Sequence, residues 1–98
     1  MLLLYIYMDF KSYKLLGFEK GTGNKKYNAL LQDKKTKQIK KISFGDIRYQ
    51  QYKDKALGLY SHLDHNDNKR RALYRARHKH DKLNEYSSGW FSHTYLWT

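Results

Sequence analysis

Apolar side chains recur at every second residue in the first half of the chain and every three or four residues in the second half. The alternation occupies segments 12–18, 27–32 and 38–44, and a period of two residues is typical of β-strands. Polar turn residues at 21–24 and 33–36 separate the segments. The sequence therefore predicts an α+β fold, in which a small antiparallel β-meander is followed by one or two helices and an aromatic-rich C-terminal tail.

The faces of the first and third strands can be read from the same alternation. In the first strand, Tyr13 and Leu15 lie opposite Leu16 and Phe18, and apolar residues on both faces predict a central strand. In the third strand, Ile39 is out of step with Ile42 and Phe44, which predicts a β-bulge near Lys40 and Lys41. The predicted core combines strand and helix positions: Tyr27, Leu31, Ile42, Phe44, Leu73 and Tyr74.

Helical spacing follows an acidic start signal. Asn66 or Asp67 can cap a helix that runs from Lys69 to about Leu83. One face of this helix carries Leu73, Ala76, His80 and Leu83. The mixed pattern between Asp46 and Tyr60 predicts a second, short helix, and the segment from Tyr86 to Trp97 forms the aromatic tail.

Residues 1–8 form an apolar leader, and we expect residues 9–98 to form a single small α+β domain. The leader is too short for a membrane span, which needs about 20 residues. Its Leu, Ile and Tyr residues favour a strand. We expect it to pair with a sheet edge or to pack in an apolar groove. We favour a neighbouring protein as the partner, and the alternative is this chain's own sheet edge, where the leader would add a fourth strand.

The charge of the chain restricts its partners. Twenty basic against nine acidic residues give a formal net charge of +11, which attracts nucleic acid, anionic lipid or an acidic protein surface. A stripe at three- and four-residue spacing on the predicted helix, together with two lysines of the third strand, is the predicted anion-binding face: Arg71, Arg75, Lys79, Lys82, Lys40 and Lys41. The absence of Cys excludes disulfides and Cys-ligated zinc.

The histidines raise a metal hypothesis. His62, Asp64 and His65 are close in sequence, and His and Asp can ligate zinc. The competing interpretation is a hydrogen-bonded helix start, and we favour it because short motif matches of this kind are mostly false positives. The same region is too short for a metal-dependent nuclease motif, and Gly21–Asn24 lacks the spacing of a phosphate loop. We therefore predict no catalytic residue, no metal site and no cofactor.

The aromatic tail and the leader provide candidate interface anchors, since Trp and Tyr dominate binding hot spots. We expect some tail rings to close the core and others to face a partner. The predicted anchors are Leu3, Tyr5, Tyr7, Trp90, Tyr95 and Trp97.

From about Lys26 onward an ordered set of short motifs extends along the chain. The motifs are Lys41–Asp46, Tyr49–Asp54, His62–Asp67, Arg70–Arg71 with Tyr74, Arg77–His78, Trp90–Ser92 and Tyr95–Trp97. In order and spacing they resemble a family of small basic proteins, without an assigned activity, from giant nucleocytoplasmic large DNA viruses of the mimivirus and algal-virus type. The resemblance implies a viral source and a small non-enzymatic component of the virion.

Two functional hypotheses follow. The first is a structural component of the virus particle, of the minor capsid or cement type, which binds other capsid proteins through aromatic and basic surfaces. The alternative is a nucleic-acid-binding protein that packages or condenses the viral genome. Both place the chain in the virion, and in the host cytoplasm during assembly, with no transmembrane segment.

Overall fold

The computed structural model describes residues 12–98, and over this range the chain has an α+β fold. The strands are β1 (Tyr13–Lys20), β2 (Lys25–Asp33) and β3 (Ile39–Asp46), and the helices are α1 (Asn68–Arg77) and α2 (Ser88–Tyr95), with 3-10 turns at Ser61–Leu63 and Asp81–Leu83. The strands form an antiparallel sheet in the order β1-β2-β3. The predicted meander followed by helices is confirmed. The leader, and any strand that it adds, lies outside the described residues.

The sheet has its irregularity in β1 and not in β3. The pairing of β1 with β2 shifts register between Leu15 and Gly17, so the extra residue, Leu16, is left 47% exposed. This bulge brings Phe18 to the core face with Leu15. The prediction that Phe18 lies opposite Leu15 is therefore wrong. Within the described sheet β1 is also an edge strand, not a central one.

The third strand keeps a continuous register with β2 from Ile39 to Asp46. The predicted bulge near residues 40–41 is therefore wrong. Ile39 is out of step with the core residues because it lies on the opposite face, where it is 50% exposed.

The core lies between one face of the sheet and α2. Its fully or nearly fully buried members are Tyr27, Ala29, Leu31, Phe44, Phe91 and Leu96. The rings of Phe44 and Phe91 stack with centroids 5.4 Å apart, so α2 closes the sheet through an aromatic contact. Part of the aromatic tail is thus internal, as expected.

Helix α1 starts where the sequence predicts and ends earlier. The Asp67 carboxylate accepts hydrogen bonds from the amides of Lys69 and Arg70 at 2.9 and 3.1 Å, which is an N-cap. The helix ends at Arg77. Leu73 and Leu83 are 52% and 71% exposed, so the predicted burial of Leu73 is wrong. The helix face that carries Leu73 does not pack against the sheet, whereas Tyr74 is half-buried.

The segment between β3 and Tyr60 is an ordered loop, and the short helix predicted there is wrong. The amides of Lys53 and Lys55 donate to the carbonyls of Leu96 and Tyr95 at 3.0 and 2.8 Å. These amides are committed to the end of α2 and are therefore not available for intrahelical bonds.

Candidate functional site

A cleft of about 520 Å³ lies between the open end of the β2–β3 hairpin, opposite its loop, and the helices α1 and α2. Lys25 begins β2 and pairs with Asp46 at the end of β3, so the hairpin forms one wall. The opposite wall is the face of α1 that carries Arg70, Tyr74 and Arg77. These three residues are spaced by four and three, which places them on one side of a helix. The cleft therefore combines exposed cations with aromatic rings.

Aromatic rings line the α1 side of the cleft. The rings of Tyr74 and Trp97 stack with centroids 4.1 Å apart and an interplanar angle of 4°. The imidazole of His78 stacks on Tyr74 at 4.2 Å. Burial raises the pKa of Tyr74 to about 12. The Tyr74–Trp97 pair joins α1 to the segment that follows α2.

Tyr49 lies at the rim and is 65% exposed. Its amide donates to the carbonyl of Asp46 at 3.1 Å, and its carbonyl accepts from the Lys26 ammonium at 2.9 Å. The Arg48 guanidinium lies 5.9 Å from the ring centroid and is held by Asp46 at 2.7 Å. That guanidinium lowers the pKa of Asp46 to about 2. The backbone of this exposed residue is thus anchored at two points, and an ion-paired guanidinium lies over its ring.

A buried polar network supports this wall. Lys26 is 2% exposed and donates to the side-chain oxygen of Gln51, which is fully buried. The side-chain Nε2 of Gln51 donates to Asp64 Oδ1 at 2.6 Å. The same oxygen accepts the backbone amide of Asp54 at 2.8 Å. Burial lowers the pKa of Lys26, and the carboxylates of Asp54, Asp46 and Asp64 oppose this effect. The network fixes the 47–67 loop against β2.

The network extends to Tyr27 in the core. The Tyr27 hydroxyl donates to Asp54 Oδ2 at 2.5 Å and accepts the amide of Leu59 at 2.9 Å. The same carboxylate accepts the amides of Tyr60 and Ala56 at 3.0 and 2.9 Å. Burial, followed by the hydrogen bond to Asp54, raises the pKa of Tyr27. These groups satisfy one another inside the fold, so we assign them a structural role.

The acidic side chains neutralise few of the cations. Several carboxylates are used as acceptors for backbone N–H groups: Asp33, Asp54, Asp64 and Asp67. Within residues 12–98, the ion pairs that involve Lys or Arg are Lys41–Glu19 and Arg48–Asp46. The positive charge of the surface is thus left largely uncompensated by neighbouring carboxylates.

The predicted basic face is not one surface. Arg71 Nε donates to the Thr98 carbonyl at 3.1 Å, and Arg75 donates to the Trp97 carbonyl at 3.4 Å. Both arginines therefore dock the C-terminal segment onto α1. Lys79 and Lys82 are exposed beyond the end of α1.

The two lysines of β3 are separated from this helix and from each other. Successive residues of a strand point to opposite faces, so Lys40 and Lys41 do not share a surface. The Lys40 ammonium lies 5.7 Å from the ring centroid of Tyr13. Lys41 pairs with Glu19 at 2.9 Å. These lysines and the helical stripe therefore do not lie on one surface, and anion binding by the individual residues stays a prediction.

Sequence reasoning missed Lys25, Tyr49, Arg70 and Arg77. The signal on α1 is present at residues 70, 74 and 77, but it mixes arginines with a tyrosine. A stripe made only of cations lies on the neighbouring face of the helix, which begins at Arg71, so the pattern of charge alone points to the wrong face.

The predicted aromatic anchors are partly internal. Trp90, Tyr95 and Trp97 are each half-buried and pack against the core. Phe18 and Tyr95 form an edge-to-face pair with centroids 4.7 Å apart. The leader anchors, at positions 3, 5 and 7, lie outside the described residues.

The histidines near α1 take part in hydrogen bonding. His65 Nδ1 accepts the amide of Asp67 at 2.9 Å, which is the helix-start arrangement that the sequence favours. Among residues 12–98, no three His, Asp or Glu side chains are grouped so that they could hold a metal ion.

Comparison with protein-family models, curated proteins and solved structures finds no match to this chain. In the part of the chain that the structure covers, no helix has the length and apolar character needed to cross a bilayer.

Proposed function

We propose that this chain binds nucleic acid through the cleft, as a binding protein and not as an enzyme. The convergence of Lys25, Arg70 and Arg77 around aromatic side chains is the observation that carries the proposal. Lys and Arg are the usual ligands of phosphate groups, and aromatic rings accept stacked bases. A formal charge of +11 adds long-range attraction to a polyanion.

The resemblance to small basic proteins of giant DNA viruses supports a viral setting for this activity. In that setting the chain would package or condense the genome, first in the host cytoplasm and then in the virion. This was the alternative hypothesis from the sequence. It now comes first because the aromatic tail contributes to the core and because three cations line one cleft beside aromatic rings.

Binding can be tested with two variants of equal net charge. In one, Lys25, Arg70 and Arg77 are replaced by Glu; in the other, Lys34, Lys35 and Lys37 of the β2–β3 loop are replaced by Glu. Fluorescence anisotropy with a labelled oligonucleotide should show a much larger loss for the cleft variant, and affinity of the unmodified chain should fall steeply with salt. Absence of binding by the unmodified chain at about 50 mM salt would refute the proposal, since that concentration favours phosphate contacts.

A structural role in the particle is the second candidate, and one observation favours it. Leu57 and Leu59 are 49% and 51% exposed on either side of Gly58. Adjacent exposed leucines on an ordered loop are suited to contact with another protein. Disrupting purified particles separates the candidates: a genome-binding protein is released with the nucleic acid, whereas a capsid component stays with the emptied shell.

A further inference from the structure

We propose that the cleft is specific for single-stranded nucleic acid, with one base stacked on Tyr49 and the adjoining phosphates bound by Lys25, Arg70 and Arg77. The inference rests on the proposed nucleic-acid binding and adds the class of ligand. Recognition of single strands uses unpaired bases on aromatic side chains. A duplex keeps its bases stacked within the helix and offers the cleft only its backbone.

The ring of Tyr49 is exposed on an anchored backbone. The ring is 65% exposed although the residue is anchored on both sides of its backbone, by the Asp46 carbonyl and the Lys26 ammonium. An exposed aromatic side chain in a mobile loop would lose entropy when a ligand orders it. Here that cost is reduced in advance, because the fold already fixes the backbone.

The groups that line the cleft around Tyr49 leave room for one nucleotide. The rings of Tyr74 and Trp97 already stack on each other. The Arg48 guanidinium lies over one face of the Tyr49 ring, so we assign the opposite face of this exposed ring to the base. The Arg70 guanidinium is oriented by Gln50 at 2.8 Å. A volume of about 520 Å³ lies within the range of about 300–1,000 Å³ typical of small-ligand pockets, and thus suits a nucleotide-sized portion of a strand.

A buried lysine holds the backbone of Tyr49 from beneath the rim. Lys26 is 2% exposed yet contributes to the lining of the cleft. Its ammonium lies behind the Tyr49 backbone, to whose carbonyl it donates. Three carboxylates, of Asp54, Asp46 and Asp64, act on this ammonium. Its contribution to the cleft is therefore to hold the Tyr49 backbone at the rim and not to add positive potential.

The test compares three labelled ligands of equal length by anisotropy: a single strand of about 12 nucleotides, within the span of known single-strand sites; an abasic strand; and a duplex. The unmodified chain should bind the single strand most tightly. Tyr49→Ala should lose about tenfold for the single strand, as expected for one stacked base, with little change for the other two ligands. Tyr49→Phe should bind like the unmodified chain because it keeps the ring.

Two single substitutions that remove the same charge at different places test the position of the charge. Lys25→Gln and Lys35→Gln each remove one exposed lysine, the first at the cleft and the second in the β2–β3 loop. Lys25→Gln should weaken single-strand binding more than Lys35→Gln does. Circular dichroism and thermal unfolding should show that all of these variants remain folded, as expected for exposed positions.

Two failures can be told apart. If the unmodified chain binds all three ligands equally and Tyr49→Ala changes nothing, the single-strand inference is wrong while nucleic-acid binding stands. If the unmodified chain binds none of them, the proposed function is wrong and the inference falls with it.

Discussion

Asp54 is the acceptor at the centre of the network that joins β2 to the 47–67 loop, so its replacement should destabilise the fold strongly. In Asp54→Ala the buried Tyr27 hydroxyl and the amides of Tyr60 and Ala56 lose their acceptor. An unsatisfied buried donor costs about 1–3 kcal/mol. The Tyr27 oxygen lies in a fully buried side chain, whereas the two amides are partly buried and can reach water. We therefore expect a loss of about 3–5 kcal/mol in the free energy of unfolding.

Urea denaturation followed by tryptophan fluorescence measures this loss, and a double-mutant cycle isolates the pair. Tyr27→Phe removes the donor and leaves the amide of Leu59 without its acceptor, so it should cost about 1–2 kcal/mol. Because a hydrogen bond to a charged group contributes about 1.5–3 kcal/mol, the cycle with Asp54→Ala should show coupling of that size. Additivity within about 0.5 kcal/mol, or a loss below about 1 kcal/mol in Asp54→Ala, would refute the account of the network.

Three further outcomes are expected. Leu31→Ala should lower the free energy of unfolding by about 2–5 kcal/mol because the side chain is buried. Leu73→Ala, at an exposed position, should change it by less than about 0.5 kcal/mol. Equal effects of the two variants in urea denaturation would contradict the assigned core. Gly45 has a φ of 75°, and a Cβ there would lie 3.0–3.1 Å from atoms of Lys26 and Leu96, so Gly45→Ala should lower the melting temperature, with a cost of about 1–3 kcal/mol. Burial lowers the pKa of His93 below 6.5; the unfolded chain then binds the proton more tightly, so stability should be full above pH 6.5 and fall as the pH drops toward the folded pKa. His93→Gln should reduce this pH dependence relative to the exposed control His62→Gln, and an unchanged pH profile would exclude His93 as its source.

The sequence was sufficient for features that depend on neighbouring residues along the chain. Alternation located the three strands, and polar turn residues located the hairpin loops. Asp67 was one of two predicted caps because a short carboxylate before a helix can accept its first amides. In each case the responsible forces act within a few residues.

The candidate site was less accessible to sequence reasoning. On α1, Arg71 and Arg75 are four residues apart, as are the cleft residues 70 and 74. Both arginines nevertheless donate to backbone carbonyls of residues 97 and 98 and not to the cleft. The rotation of α1 is therefore set by contacts more than 20 residues away in sequence, and it turns Arg70, Tyr74 and Arg77 toward the β2–β3 hairpin. Periodicity defines faces on a helix but does not state which face meets the rest of the fold.

The sequence by itself determined the fold class, the order of the three strands, the start of α1 and the net positive charge, because local backbone preferences and composition fix these properties. It did not locate α2, which lies in the segment expected to form an aromatic tail. The tertiary structure decided which cations act together. In the 47–67 loop, where a short helix was predicted, the backbone amides of Lys53 and Lys55 donate instead to carbonyls at the end of α2. Buried Lys26 holds the backbone of Tyr49 at the cleft rim. Those hydrogen bonds join residues distant in sequence, and they form only once the sheet, the loop and α2 have packed together.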